Sequence, residues 1–119
     1  MNEALQEKYK LTLDENGWIT VVSEDAAKVL LMNKSILSKC QGLKLKPTDG
    51  TVRGWFSRIT DEHLVFPVVD LAEVTDAAGL FYYSTLKEIK GLVNCENLVE
   101  ASRMFANSRV LNGSIDILN

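Results

Sequence analysis

An echo at a spacing of 24 residues constrains this chain more than any other feature. Val74-Thr75-Asp76-Ala77-Ala78-Gly79-Leu80-Phe81 is answered by Leu98-Val99-Glu100-Ala101-Ser102-Arg103-Met104-Phe105. The match runs on through Ser84 and Ser108, and after one inserted residue it resumes at Leu86 and Leu111, each opening a short β-favouring run. A unit of this size cannot bury its apolar face alone. Stacked neighbours do so for one another, and the repeated outer face is left to hold other molecules.

The whole chain sets bounds on the answer. Its 119 residues, 46% hydrophobic and 24% charged, have the composition of one globular domain. No apolar run approaches the roughly 20 residues that cross a bilayer, so no membrane span is expected. The N-terminus, Met1 to Glu7, lacks the basic start and apolar middle of a secretory signal. That implies synthesis in the cytosol, with any exit by another route. Cys40 and Cys95 lie in different halves without metal-ligand spacing, which predicts buried thiols; a bridge between them requires the fold to bring them together.

Charge is uneven. Residues 1–60 carry 9 Lys and Arg against 7 Asp and Glu, and residues 61–119 carry 4 against 9. The second half is therefore acidic, which argues against nucleic acid there, since a phosphate backbone must be met by several cations on one face. Lys39, Lys44, Lys46, Arg53 and Arg58 are too dispersed to mark a nucleic-acid site and read as a solvated face.

The first 50 residues read as an α+β unit. Tyr9, Leu11 and Leu13 alternate with polar residues before Asn16-Gly17, and Trp18 to Val22 favours a returning strand, which together predict a β-hairpin. Ser23 offers an N-cap to a helix over about 24–40, with Glu24 and Asp25 in its first turn and Gly42 beyond its end. Leu43 to Lys46 alternates like an edge strand and stops at Pro47. Leu64 to Leu71 is strand-like but broken by Pro67, and Phe56 precedes Phe81 by 25 residues, so a degenerate first repeat is expected in that region.

The aligned segments resemble the BspA-type leucine-rich repeat, whose phrase joins a Val-Thr-Asx opening, a Met-Phe pair, an Asn-Cys pair and a Leu-x-x-Leu strand. The phrase stands here as Val74-Thr75-Asp76, Leu80-Phe81, Ser84 and Leu86 to Ile89, then as Asn94-Cys95, Ala101, Met104-Phe105, Ser108 and Leu111. The likeness covers about residues 70–119, and departs from the family at Gly91 and at Tyr82-Tyr83. Joined to the reading of the first 50 residues, it implies a fold of class α+β, with an N-terminal hairpin-plus-helix cap (1–50) packed on a short leucine-rich-repeat solenoid (51–119) of two clear repeats and one degenerate. In it Phe81 and Phe105 stack, and Leu86, Ile89, Leu111, Ile115 and Ile117 face one interior. It also implies surface recognition.

No catalytic constellation stands out. His63 is the only histidine, and no phosphate loop, nucleophile elbow or zinc motif is present. The acids Asp70, Glu73, Asp76 and Glu100 are abundant without a marked pairing. The chain thus reads as non-catalytic, needing no cofactor or metal. It is expected to be a structural or assembly subunit joining protein subunits, as a homo-oligomer or in a larger assembly such as a phage virion. An adhesion module for a host surface protein or glycan is the alternative. A virion component reconciles surface recognition with the lack of a leader. Tyr82 and Tyr83 are candidate contacts, as are Ile115, Ile117 and Leu118 at an apolar C-terminus.

Overall fold

A computed structural model describes residues 3–111. The chain begins with helix α1 (Glu3–Lys8), then strand β1 (Trp18–Val21), helices α2 (Glu24–Leu31) and α3 (Lys34–Lys39), and strand β2 (Gly42–Leu45). There follow β3 (Thr60–Phe66), β4 (Val68–Asp70), β5 (Thr85–Ile89), β6 (Leu92–Val93) and β7 (Arg109–Val110). They make two small parallel sheets, one of order β1-β2-β4-β6 and the other of order β3-β5-β7.

This overturns the expected hairpin-plus-helix cap on a leucine-rich-repeat solenoid: the chain is a compact α+β fold with two small parallel sheets and few helices. The hairpin is absent. β1 pairs in parallel with β2, Trp18 opposite Gly42 and Val21 opposite Leu45, and α2 and α3 form the crossover that parallel strands require. The residues expected as the first hairpin strand instead end α1 and turn, with Tyr9 and Lys10 N–H groups bonded back to Leu5 and Glu7. The sheet of four takes β1 and β2 together with β4 and β6, so strands from both halves of the chain share it. The radius of gyration is 13.1 Å, close to the roughly 13.5 Å of a single compact domain this long.

Local chemistry accounts for the elements. Gly17 does sit in a turn at φ 82°, organised by Asp14, whose carboxylate accepts the Asn16 and Trp18 N–H groups. Ser23 caps α2 by accepting the Ala26 N–H at 3.1 Å. The single helix expected over 24–40 is broken after Leu31, and Asn33, with its low helix propensity, begins the next. Leu43 to Lys46 is no edge strand, because β2 lies between β1 and β4. Pro67, which has no N–H to give a ladder, stands where the chain leaves one sheet for the other, between β3 and β4. Lys90 and Gly91 turn the same corner between β5 and β6.

One core runs from Leu11 to Met104. All four phenylalanines lie in it as a column: Phe56 to Phe66 at 4.8 Å between ring centroids, Phe66 to Phe81 at 5.2 Å, and Phe81 to Phe105 at 5.5 Å, the last pair within 7° of parallel. Phe81 is fully buried and Phe105 half-buried. The expected insertion before Leu111 is absent from the pairing, since Leu86 stands opposite Val110. Leu111 is accordingly exposed, and does not join Leu86 and Ile89 inside.

Candidate functional site

Three turn segments, 52–58, 77–83 and 101–107, lie side by side and are tied by backbone bonds of one sense. Val52, Phe56 and Arg58 donate their N–H groups to the carbonyls of Asp76, Leu80 and Tyr82. Ala77, Gly79, Phe81 and Tyr83 donate in turn to Glu100, Ser102, Met104 and Ala106. The isolated bridges from Thr51 to Asp76 and from Asp76 to Glu100 fix the register. Gly54, Gly79 and Arg103 thus occupy one position in successive turns, and Arg58, Tyr83 and Asn107 another, all six with φ between 55° and 67°.

The register gathers side chains that are far apart in the chain. A cleft of about 780 Å³ opens on the turn face, lined by residues of all three segments, among them Arg53, Ser57, Arg58, Tyr82, Ser102 and Arg103. Three of the four arginines of the chain line it. Arg53 Nε donates to Asp76 Oδ2 at 2.5 Å on the rim. Arg58 lies over the ring of Tyr83, its guanidinium carbon 5.3 Å from the centroid, a contact worth about 0.5–1 kcal/mol when exposed. Among the described residues no carboxylate pairs with Arg58 or Arg103.

Asp76 is held below the usual carboxylate range: partial burial works against its charge, but the Arg53 hydrogen bond, the Ala78 N–H, the Arg53 charge and the Thr51 hydroxyl outweigh it. Glu100 is lowered by the hydroxyl and N–H of Ser102. The cleft lining contains guanidiniums, hydroxyls, small residues and one phenol, with no carboxylate, imidazole or thiol among them. Such a surface suits anions and aromatic or apolar groups.

Of the residues singled out in the sequence, Tyr82 is half-buried and lines the cleft, and Tyr83 is 46% exposed beside it, the two rings meeting edge to face at 4.4 Å. Ile115, Ile117 and Leu118 lie outside the described residues. Asp70, Glu73, Asp76 and Glu100 do not converge with His63, Cys40 or Cys95 on a metal-holding group among the described residues. His63 is exposed. Cys40 and Cys95 are free, buried thiols, and burial pushes both above the ordinary thiol range, which keeps them protonated. No helix among the described residues is long and apolar enough to cross a membrane.

The arginines are what the sequence did not reveal. Arg53 and Arg58 looked like a diluted basic stretch, and Arg103 lies 45 residues beyond Arg58 in the acidic half. Aligning Phe56 with Phe81 and Phe105 would have found them, because the arginines flank these rings at positions that share one face. No protein-family model matches the chain, and no curated protein or solved structure matches it either.

Proposed function

We propose that this protein is a non-catalytic interaction or assembly subunit that holds another protein against its turn face. The observation that carries this reading is the cleft built from equivalent positions of three turns, with Arg58 set on Tyr83 at its edge and Tyr82 in its wall. Arginine and tyrosine are the side chains most enriched where protein contacts concentrate their energy. The guanidinium donors that line the cleft support the same reading. Membership of a particle such as a phage virion is part of the proposal.

Site-specific photocrosslinking tests it. A photoreactive residue at position 83 should give discrete protein adducts in the cells that make the protein, while one at the exposed Lys39, on α3, should not. Adducts from neither position, or equal adducts from both, would refute a dedicated protein-binding face.

A further inference from the structure

We infer that the cleft is the acceptor for a carboxylate-rich segment of the partner protein, gripped by Arg58 and Arg103 beside the Arg53–Asp76 pair on the rim. The inference rests on the interaction reading above and names the chemistry of what is held.

Charge placement is the first ground. The chain has a net charge of −3 and nine lysines, yet the cleft is lined by three arginines and no lysine. Guanidinium is a planar fork of five donors that matches a carboxylate with two parallel hydrogen bonds, which an ammonium cannot do. On the rim Arg53 already meets a carboxylate of the chain itself, through a single Nε–H bond to Asp76 Oδ2. Arg58 and Arg103 have no equivalent among the described residues, so two cations are left for carboxylates from outside.

Backbone conformation is the second ground, and it is independent of charge. Arg58, Tyr83 and Arg103 adopt φ of 63°, 55° and 56°, the left-handed region where a side chain with a Cβ is disfavoured. The first two turns put Gly54 and Gly79 at the position that Arg103 fills in the third. Asn107, at the position of Arg58 and Tyr83, is a residue that tolerates this conformation. Lys10 holds the same conformation away from the cleft, but only here are several long side chains held in it side by side, which supports a role for them.

A short acidic segment fits these facts better than a nucleic acid. Three arginines cannot follow a phosphate backbone for any distance, and the acidic half of the chain repels a long polyanion. Local carboxylates within hydrogen-bond reach escape that repulsion, because salt screens charges beyond about 8 Å at physiological ionic strength. The Ser57 and Ser102 hydroxyls are already donated to the Gly54 carbonyl and the Glu100 carboxylate, so the arginines carry the grip, and Tyr82 offers a flat apolar wall for the stems of the incoming side chains.

Fluorescence anisotropy with a labelled peptide of alternating Asp and Glu tests the inference against two controls, the matching Asn and Gln peptide and a single-stranded oligodeoxynucleotide. The acidic peptide should bind at least about tenfold more tightly than the amide peptide, a difference of ~1.4 kcal/mol, and rising salt should weaken it. Arg58→Ala and Arg103→Ala should each weaken it about tenfold, with Arg109→Ala, outside the cleft, unchanged. Arg58→Lys should recover only part of the loss, since it restores charge without the fork. Equal binding of the two peptides, equal loss in Arg109→Ala, or tighter binding of the oligonucleotide would overturn the assignment. If adducts form at position 83 while the acidic peptide fails, the interaction reading survives and this inference falls; if both fail, both fall.

Discussion

The Ser84 hydroxyl donates to the Phe56 carbonyl at 2.8 Å and accepts the Ile59 N–H at 3.1 Å, joining two turns through one fully buried oxygen. Ser108 repeats the device one turn later, its hydroxyl bonded to the Phe81 carbonyl and accepting the Ser84 N–H. The recurrence of serine at this offset in the sequence is therefore structural. Ser84→Ala strips two buried backbone groups of their partner and should destabilise the fold by about 1–3 kcal/mol. Urea unfolding monitored by circular dichroism measures it; a midpoint unchanged from wild type would mean that the two groups find other partners.

The phenylalanine column predicts a graded cost. Phe81→Ala should cost roughly 3–5 kcal/mol, because the ring is fully buried and touches three others of its kind. Phe105→Ala should cost less, since that ring is half-buried and meets Phe81 alone among the phenylalanines described. Equal losses on denaturation would show that Phe105 is covered more fully than the fold implies.

Arg103 allows backbone strain to be separated from side-chain function. Arg103→Gly relieves the left-handed conformation that Arg103→Ala retains, so the glycine variant should be the more stable of the two by about 1 kcal/mol. Thermal unfolding of the pair reads this directly. Both variants should lose acidic-peptide binding alike, which would place stability and binding in opposition at one residue.

Acid should weaken the fold partly through Asp76. Its carboxyl is lowered in the folded chain, so its contribution is fully present above the unfolded value of roughly 3.9 and is lost as pH falls through the lower folded value. Asp61, lowered first by the Lys34 hydrogen bond and then by the His63 N–H, adds in the same direction. The thermal midpoint of Asp76→Asn should therefore fall less than that of wild type between pH 5 and pH 2, on the order of the window these carboxylates set. Parallel pH curves for the two proteins would remove Asp76 from the account.

Gly42 makes room for an aromatic neighbour. A Cβ there would come within 2.5 Å of the Trp18 ring, on the adjacent strand. Gly42→Ala should displace that ring and shift tryptophan emission, with loss of stability, and an unchanged spectrum would contradict the packing.

What could be read from the sequence was whatever recurs or acts locally. The Phe81 and Phe105 stack and the Ser23 cap were legible because each rests on a few residues at fixed offsets. The pairing of β1 was not, because its partner β2 lies 24 residues on, and Tyr9, Leu11 and Leu13 alternate as a hairpin strand would. Alternation states that a segment has two faces without saying what lies beside it. Here Leu11 is buried and Leu13 44% exposed, so even the common face is missing. The cleft was illegible for a related reason: Arg53, Arg58 and Arg103 become neighbours only through the register of three turns, and the residues between them carry no mark of it.

The bonds between those turns all run from the earlier N–H to the later carbonyl, which gives the turn face a polarity like that of a row of hooks and eyes. Two copies brought together by the same edge would set donor against donor or acceptor against acceptor. Backbone pairing confined to these segments would favour head-to-tail order, the kind that closes into a ring or runs on as a filament, although the bonds at their ends, such as Asp76 N–H to Gly50 and Thr85 N–H to Ile59, run the other way.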